Sequence, residues 1–174
     1  MGRKLIRTMK SEVVQDFVRP ILGENISRIL GVRHRIASVD AAGNNYDIVT
    51  DDNGMINDLR QGLSVCPPPK ENMAPHLLRL KNTEYVFFID EDFLAISEHL
   101  EYIEDTVQPG QVAKHGIIAP RYKMHINDYI SYLSATRGFW EVLHDEISDE
   151  IGTKDAFRRQ LDAESKGVYY RANL

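Results

Sequence analysis

Apolar residues in this chain recur at two spacings, and each predicts different elements. The clearest run is Tyr85-Val-Phe-Phe-Ile89, aromatic and β-branched throughout, which predicts a strand over 84–90 buried on both faces. Phe93, Ile96, Leu100, Ile103 and Val107 then follow at steps of three and four. That spacing predicts an amphipathic helix, N-capped by Asp92 and ended by Pro109-Gly110. Near the N-terminus, Ser11 can cap a helix bearing Val13, Val14, Phe17 and Val18. Ile21, Leu22, Ile26, Ile29 and Leu30 continue the pattern past Pro20 to a C-cap at Gly31.

Residues 34–39 and 46–50 read as two short strands, with Asp40-Ala-Ala-Gly-Asn-Asn45 supplying the turn of a β-hairpin. Asp51-Asp-Asn-Gly54 is a second turn. Residues 56–63 and 76–80 suit short helices, and Cys66-Pro-Pro-Pro69 is a stiff extended connector. Gly116-Ile-Ile-Ala-Pro120 predicts a strand over 116–119. Ile126, Ile130, Leu133, Trp140, Leu143 and Ile147 mark one face of a long helix capped near Asn127 or Asp128, with Gly138 at a kink. Thr153 would cap a last helix carrying Phe157 and Leu161. The expected fold is therefore α+β. A small sheet (hairpin 34–50, central strand 84–90, strand 116–119) packs with amphipathic helices and long C-terminal helices. Residues 1–174 are expected to form a single domain, with a basic N-terminal helical segment over 1–31 and a C-terminal helical segment over 125–165.

Composition leaves this picture intact. With 174 residues, 43% hydrophobic and 27% charged, the chain can bury a core unaided. Its single cysteine, Cys66, excludes an internal disulfide and suits a reducing compartment. There is no apolar leader and no window of membrane-spanning length, so a soluble protein is expected in the cytoplasm, or in the virion if it is viral. A net charge of −5 disfavours general nucleic-acid binding.

The distribution of that charge says more. Arg3, Lys4, Arg7 and Lys10 make the start basic, while residues 82–113 hold no Lys or Arg. Glu84, Asp90, Glu91, Asp92, Glu98, Glu101, Glu104 and Asp105 all fall in that window, and Glu141, Asp145, Glu146, Asp149 and Glu150 follow. A basic end and an acidic middle can steer one copy onto another, or the chain onto a basic partner. Arg3, Lys4, Arg7, Lys10, Glu98 and Glu101 are the candidate partner contacts, with Trp140 an aromatic anchor.

Asp90-Glu91-Asp92 is the candidate chemistry, because carboxylates fixed at the end of a buried strand are hard ligands for magnesium or manganese. Glu84-Tyr-Val-Phe-Phe-Ile-Asp-Glu-Asp92 resembles the strand and Asp-x-Asp motif of family 2 type glycosyltransferases, and Tyr46-Asp-Ile-Val-Thr-Asp-Asp-Asn-Gly54 resembles that family's upstream acidic strand end. The resemblance implies that Asp90 and Asp92 hold the metal of a nucleotide-sugar diphosphate. Asp40, Asp90 and Asp128, with His125-Ile-Asn-Asp128, are similar to the acid order of a ribonuclease H-like nuclease, which implies a two-metal site. No glycine-rich phosphate loop and no His-x-x-x-His pair is present. The expectation that follows is a non-catalytic interaction or assembly protein without a cofactor, joining a protein partner or a second copy in a larger complex that could be viral. The alternative is a magnesium- or manganese-dependent enzyme using Asp90 and Asp92.

Overall fold

The computed structural model describes residues 2–22, 30–38, 46–81 and 83–144. In chain order these form β1 (Lys4–Val14), β2 (Phe17–Pro20), β3 (His34–Ile36), β4 (Ile48–Thr50), β5 (Met55–Ile56), β6 (Leu63–Val65) and β7 (Glu84–Asp90). They continue as α1 (Glu91–Ile96), β8 (Leu100–Glu104), β9 (Gly116–Pro120), β10 (Met124–His125), α2 (Ile126–Ala135) and β11 (Glu141–Val142). Among the described residues α2 is the only helix longer than six residues. The helix-packed α+β architecture expected from periodicity is thus replaced by a sheet-rich one.

The long strand β1 organises the molecule. It pairs antiparallel with β7, setting Leu5 against Ile89, Arg7 against Phe87 and Met9 against Tyr85. Its far end turns back into β2 through Gln15 and Asp16, whose φ values of 50° and 66° give the sign pattern of a type I′ turn. On the other edge of β7, β11 pairs at Phe87 and Phe88. Ile6 also exchanges backbone hydrogen bonds of 2.7 and 2.9 Å with Cys66, just past β6. That bridge seams the four-stranded sheet β11-β7-β1-β2 to the three-stranded sheet β6-β9-β8. Side chains alternate across β1 and β7 accordingly. Leu5, Phe87 and Ile89 enter the main core with Leu100, Ile118, Tyr129, Leu133 and Trp140. Ile6 and Val86 point the other way, onto Cys66 and Met73.

Several predicted elements change identity. The basic N-terminal helical segment over 1–31 becomes the β1–β2 hairpin, because β7 needs an apolar partner strand and residues 5–9 supply one; residues 23–29 lie outside the described set. The helix expected from Phe93 to Val107 stops at Ile96. Residues 100–104 spend their backbone groups on β9 instead, with Tyr102 opposite Ile118. Asp90 rather than Asp92 caps α1, accepting a 3.1 Å hydrogen bond from the Asp92 amide.

The hairpin over 34–50 is absent too: β3 and β4 pair in parallel, His34 with Ile48 and Ile36 with Thr50. Its proposed turn, in residues 39–45, lies outside the described set. Residues 56–63 hold the end of β5 and the start of β6 rather than a helix, and the helix expected over 76–80 is a short 3-10 turn, Pro75–Leu77. The C-terminal helix runs only from Ile126 to Ala135, with His125 rather than Asn127 or Asp128 as its cap. A 3-10 turn holding Gly138 then leads into β11. Within 125–165, residues 145–165 fall outside the described set, as do the expected positions Ile147, Thr153, Phe157 and Leu161. No helix among the described residues is long and apolar enough to cross a membrane.

Candidate functional site

The acidic candidates sit where the strand end predicts, and one oxygen of Asp90 is spent locally. Asp90 lies opposite Lys4 in the β1–β7 ladder and caps α1. With Asp92 it closes over the backbone at Gly2, where a Cβ would lie 2.5 Å from Asp92 Oδ1. Asp51, in the upstream acidic motif, accepts from the amides of Asn53 and Met55 and from the Asn57 side chain. Those bonds hold its carboxyl below the usual range, led by the Met55 amide. Asp128 stands in the first turn of α2, away from the end of β7 in the chain, and Asp40 lies outside the described residues. Among the described residues no three His, Cys, Asp or Glu side chains gather as a metal site.

The basic end docks on the acidic middle of its own chain. Arg3 pairs with Glu91 at 3.2 Å, also reaches Glu104, and lies over the Tyr102 ring at 4.8 Å. Lys4 covers Phe88 at 4.4 Å, and Lys10 stays exposed opposite Glu84. Glu98 is exposed and Glu101 half-buried, facing Ala119 across the β8–β9 ladder. Trp140 is fully buried, its Nε1 donating to Thr136 Oγ1 at 3.0 Å, so its ring serves the core rather than a partner.

Arg7 departs from the other basic residues. Its neighbours Leu5 and Ile6 are buried, and its guanidinium is carried inward at the seam of the two sheets. Nη1 donates to the Ser64 carbonyl at 2.6 Å and Nη2 to the Gly31 carbonyl at 3.1 Å. Nε is shut from solvent and has no hydrogen-bond partner among the described residues. Gly31 keeps its backbone at φ +79°, and a Cβ there would lie 3.4 Å from Arg7 Nη2. The carboxylate of Asp47, 2% exposed, stands nearby but is engaged by Arg33. Its Oδ2 accepts from the Arg33 amide at 2.8 Å and from Arg33 Nε at 3.4 Å, and the Ser64 hydroxyl reaches Oδ1 at 3.4 Å.

Arg7 has no ion-pair partner among the described residues. Burial lowers its pKa, Asp47 opposes that shift, and the charge of Arg33 adds to it. Beneath lies Tyr129, fully buried, whose hydroxyl donates to the Ile118 carbonyl at 2.7 Å and accepts from the Leu63 amide at 3.0 Å. Burial pushes that phenol well up. The result is two guanidiniums and one carboxylate on a hydrogen-bonded floor, a net positive group.

Sequence reasoning placed Arg7 on the outside and missed Arg33, Asp47, Ser64 and Tyr129. The available signal was a lone arginine between Leu5-Ile6 and Met9, which a strand reading of residues 4–14 turns inward. Compared with protein-family models, with curated proteins and with solved structures, the chain finds no match.

Proposed function

We propose that this protein binds a phosphate-bearing ligand at Arg7 and Arg33. The observation that carries the reading is the inward guanidinium of Arg7, which among the described residues keeps an unpartnered Nε and no ion pair, Asp47 being engaged by Arg33. A buried charge that Asp47 offsets only in part is costly inside a protein, and an arriving anion reduces that cost. Arginine presents a planar fork of donors suited to phosphate oxygens, and here two arginines flank one engaged carboxylate. The Nη2 end of Arg7 lies at the surface beside Gly31, and the side chain of Arg33 is 58% exposed, so a ligand can approach both. Ser64 and Tyr129 hold the floor in place.

The test is thermal shift and calorimetry with inorganic phosphate, pyrophosphate and adenosine diphosphate, using chloride at matched ionic strength as control. Saturable stabilisation is expected, because a ligand that binds only the folded state raises its stability. Arg7→Lys retains the charge but loses the fork, and should weaken binding by roughly tenfold to a hundredfold, the worth of charged hydrogen bonds. Arg33→Gln should weaken it less. If none of the three anions stabilises the wild type, or if folded Arg7→Lys binds them equally well, the reading fails.

A further inference from the structure

We propose that the strip between α1 and the end of α2 is a docking face for a basic, amphipathic segment of a partner protein. Two ring stacks fasten the strip at its ends. Phe93 lies on Phe139 with centroids 4.5 Å apart and planes 13° from parallel. His99 lies on Tyr132 at 3.8 Å, also at 13°. Tyr122 closes the second end, edge-on to His99 at 5.9 Å, with its hydroxyl 2.6 Å from His99 Nδ1. Ile96, between Phe93 and His99 in the chain, is 76% exposed, and each ring group carries a further exposed ring, Phe139 at 44% in one and Tyr122 at 43% in the other. A single exposed isoleucine requires no explanation. One that shares a short stretch of chain with both ring stacks adds exposed apolar area beside two exposed rings.

Charge selects the occupant. Glu98 sits between Ile96 and His99 in the chain, Asp92 lies in the first turn of α1, and Asp128 lies one turn before Tyr132 on α2, whereas Glu91 is paired with Arg3. Burial, a hydrogen bond with Tyr132, and then the carboxylates of Asp128 and Glu98 all raise the pKa of Tyr122, so both acids act on this ring cluster. The cations nearby are turned elsewhere. Arg121 donates from Nε to the Leu100 carbonyl at 2.8 Å, and Arg137 is held by Glu12 and by the Pro20 carbonyl. Lys123, next to Tyr122 in the chain, is exposed, as is Arg121.

Aromatic faces inside an acidic rim attract Lys or Arg, while Ile96 and Phe139 offer contacts for apolar residues on the same segment. Nucleic acid is repelled by such a rim. Arg3, Arg7 and Arg137 are engaged within their own chain, which leaves a second copy fewer arginines to offer this strip. Docking of this kind would make the chain one component of a larger assembly.

The experiment measures fluorescence anisotropy of a labelled amphipathic Lys/Leu helix-forming peptide, with its Glu/Leu counterpart as control, at low and moderate salt. Saturable binding of the basic peptide alone is expected. Ile96→Ser and the pair Glu98→Gln/Asp128→Asn should each weaken it by about tenfold while melting like the wild type, since all three positions are solvent-facing. No saturable binding by the wild type, or equal binding by both variants, would overturn the proposal. Self-association lost in Ile96→Ser would assign the strip to a second copy and overturn it as well. Arg7→Lys should leave peptide binding unchanged, so the anion site and this strip succeed or fail separately.

Discussion

Cys66 carries its thiol inward against Ile6, Met73 and Val86, and burial pushes its pKa up in spite of the nearby Arg7. A buried, protonated thiol is a poor nucleophile. Alkylation of the native protein at neutral pH should therefore be at least about tenfold slower than in denaturant; equal rates would place the sulfur at the surface. Tyr129 gives a prediction at the opposite end of the pH scale. Its folded pKa lies above the ordinary value of 10.0, so its contribution is complete below about pH 10 and is lost as pH rises towards the folded value. Tyr129→Phe removes the bonds to the Leu63 amide and the Ile118 carbonyl, and should cost about 1–3 kcal/mol at neutral pH. The variant should also lose less stability between pH 10 and 12 than the wild type, as measured by urea titration. An unchanged alkaline slope would assign that loss to other groups.

Turn chemistry governs stability at the level of elements. Gln15 and Asp16 both hold positive φ; Asp tolerates it better than most side chains, while Gln has no such preference and Gly adopts it freely. Replacing them with Asn-Gly should stabilise the β1–β2 hairpin by about 0.5–2 kcal/mol and raise Tm by a few degrees. Gly62 has the reverse role: a Cβ there would run into the Ile118 carbonyl where the chain enters β6, so Gly62→Ala should lower Tm by several degrees. The elements legible in the sequence were those whose pattern allows one reading. β7 announced itself through five apolar residues in a row, and β9 through Gly116-Ile-Ile-Ala-Pro120. β1 did not, because Leu5, Met9 and Val13 also fall at helical spacing and its pairing with β7 spans over seventy residues. β8 was concealed in the same way: Leu100 keeps its place in the helical stripe and is buried, yet its backbone partner is Pro120. The site around Arg7 inherited that ambiguity, since an arginine counts as a surface charge until its strand is known to have a core side.

The charge split that suggested contact between molecules closes within one molecule, through Arg3 with Glu91 and Glu104. These pairs are exposed, so Arg3→Gln should change stability by less than about 1 kcal/mol and leave the mass in solution unaltered. A change of mass on sedimentation would return Arg3 to an interface. β1 also has a consequence in time. Translation delivers this strand long before its partners, since its ladder partner β7 begins at Glu84 and the strand covering β7 ends at Val142. Among the described residues, the hairpin with β2 is the only one of its strand pairings that local chain can close early. Leu5, Ile6 and Met9 therefore wait, apolar and unpaired, while most of the domain is still being made, and the protein should fold slowly and depend on being shielded from its neighbours at the ribosome.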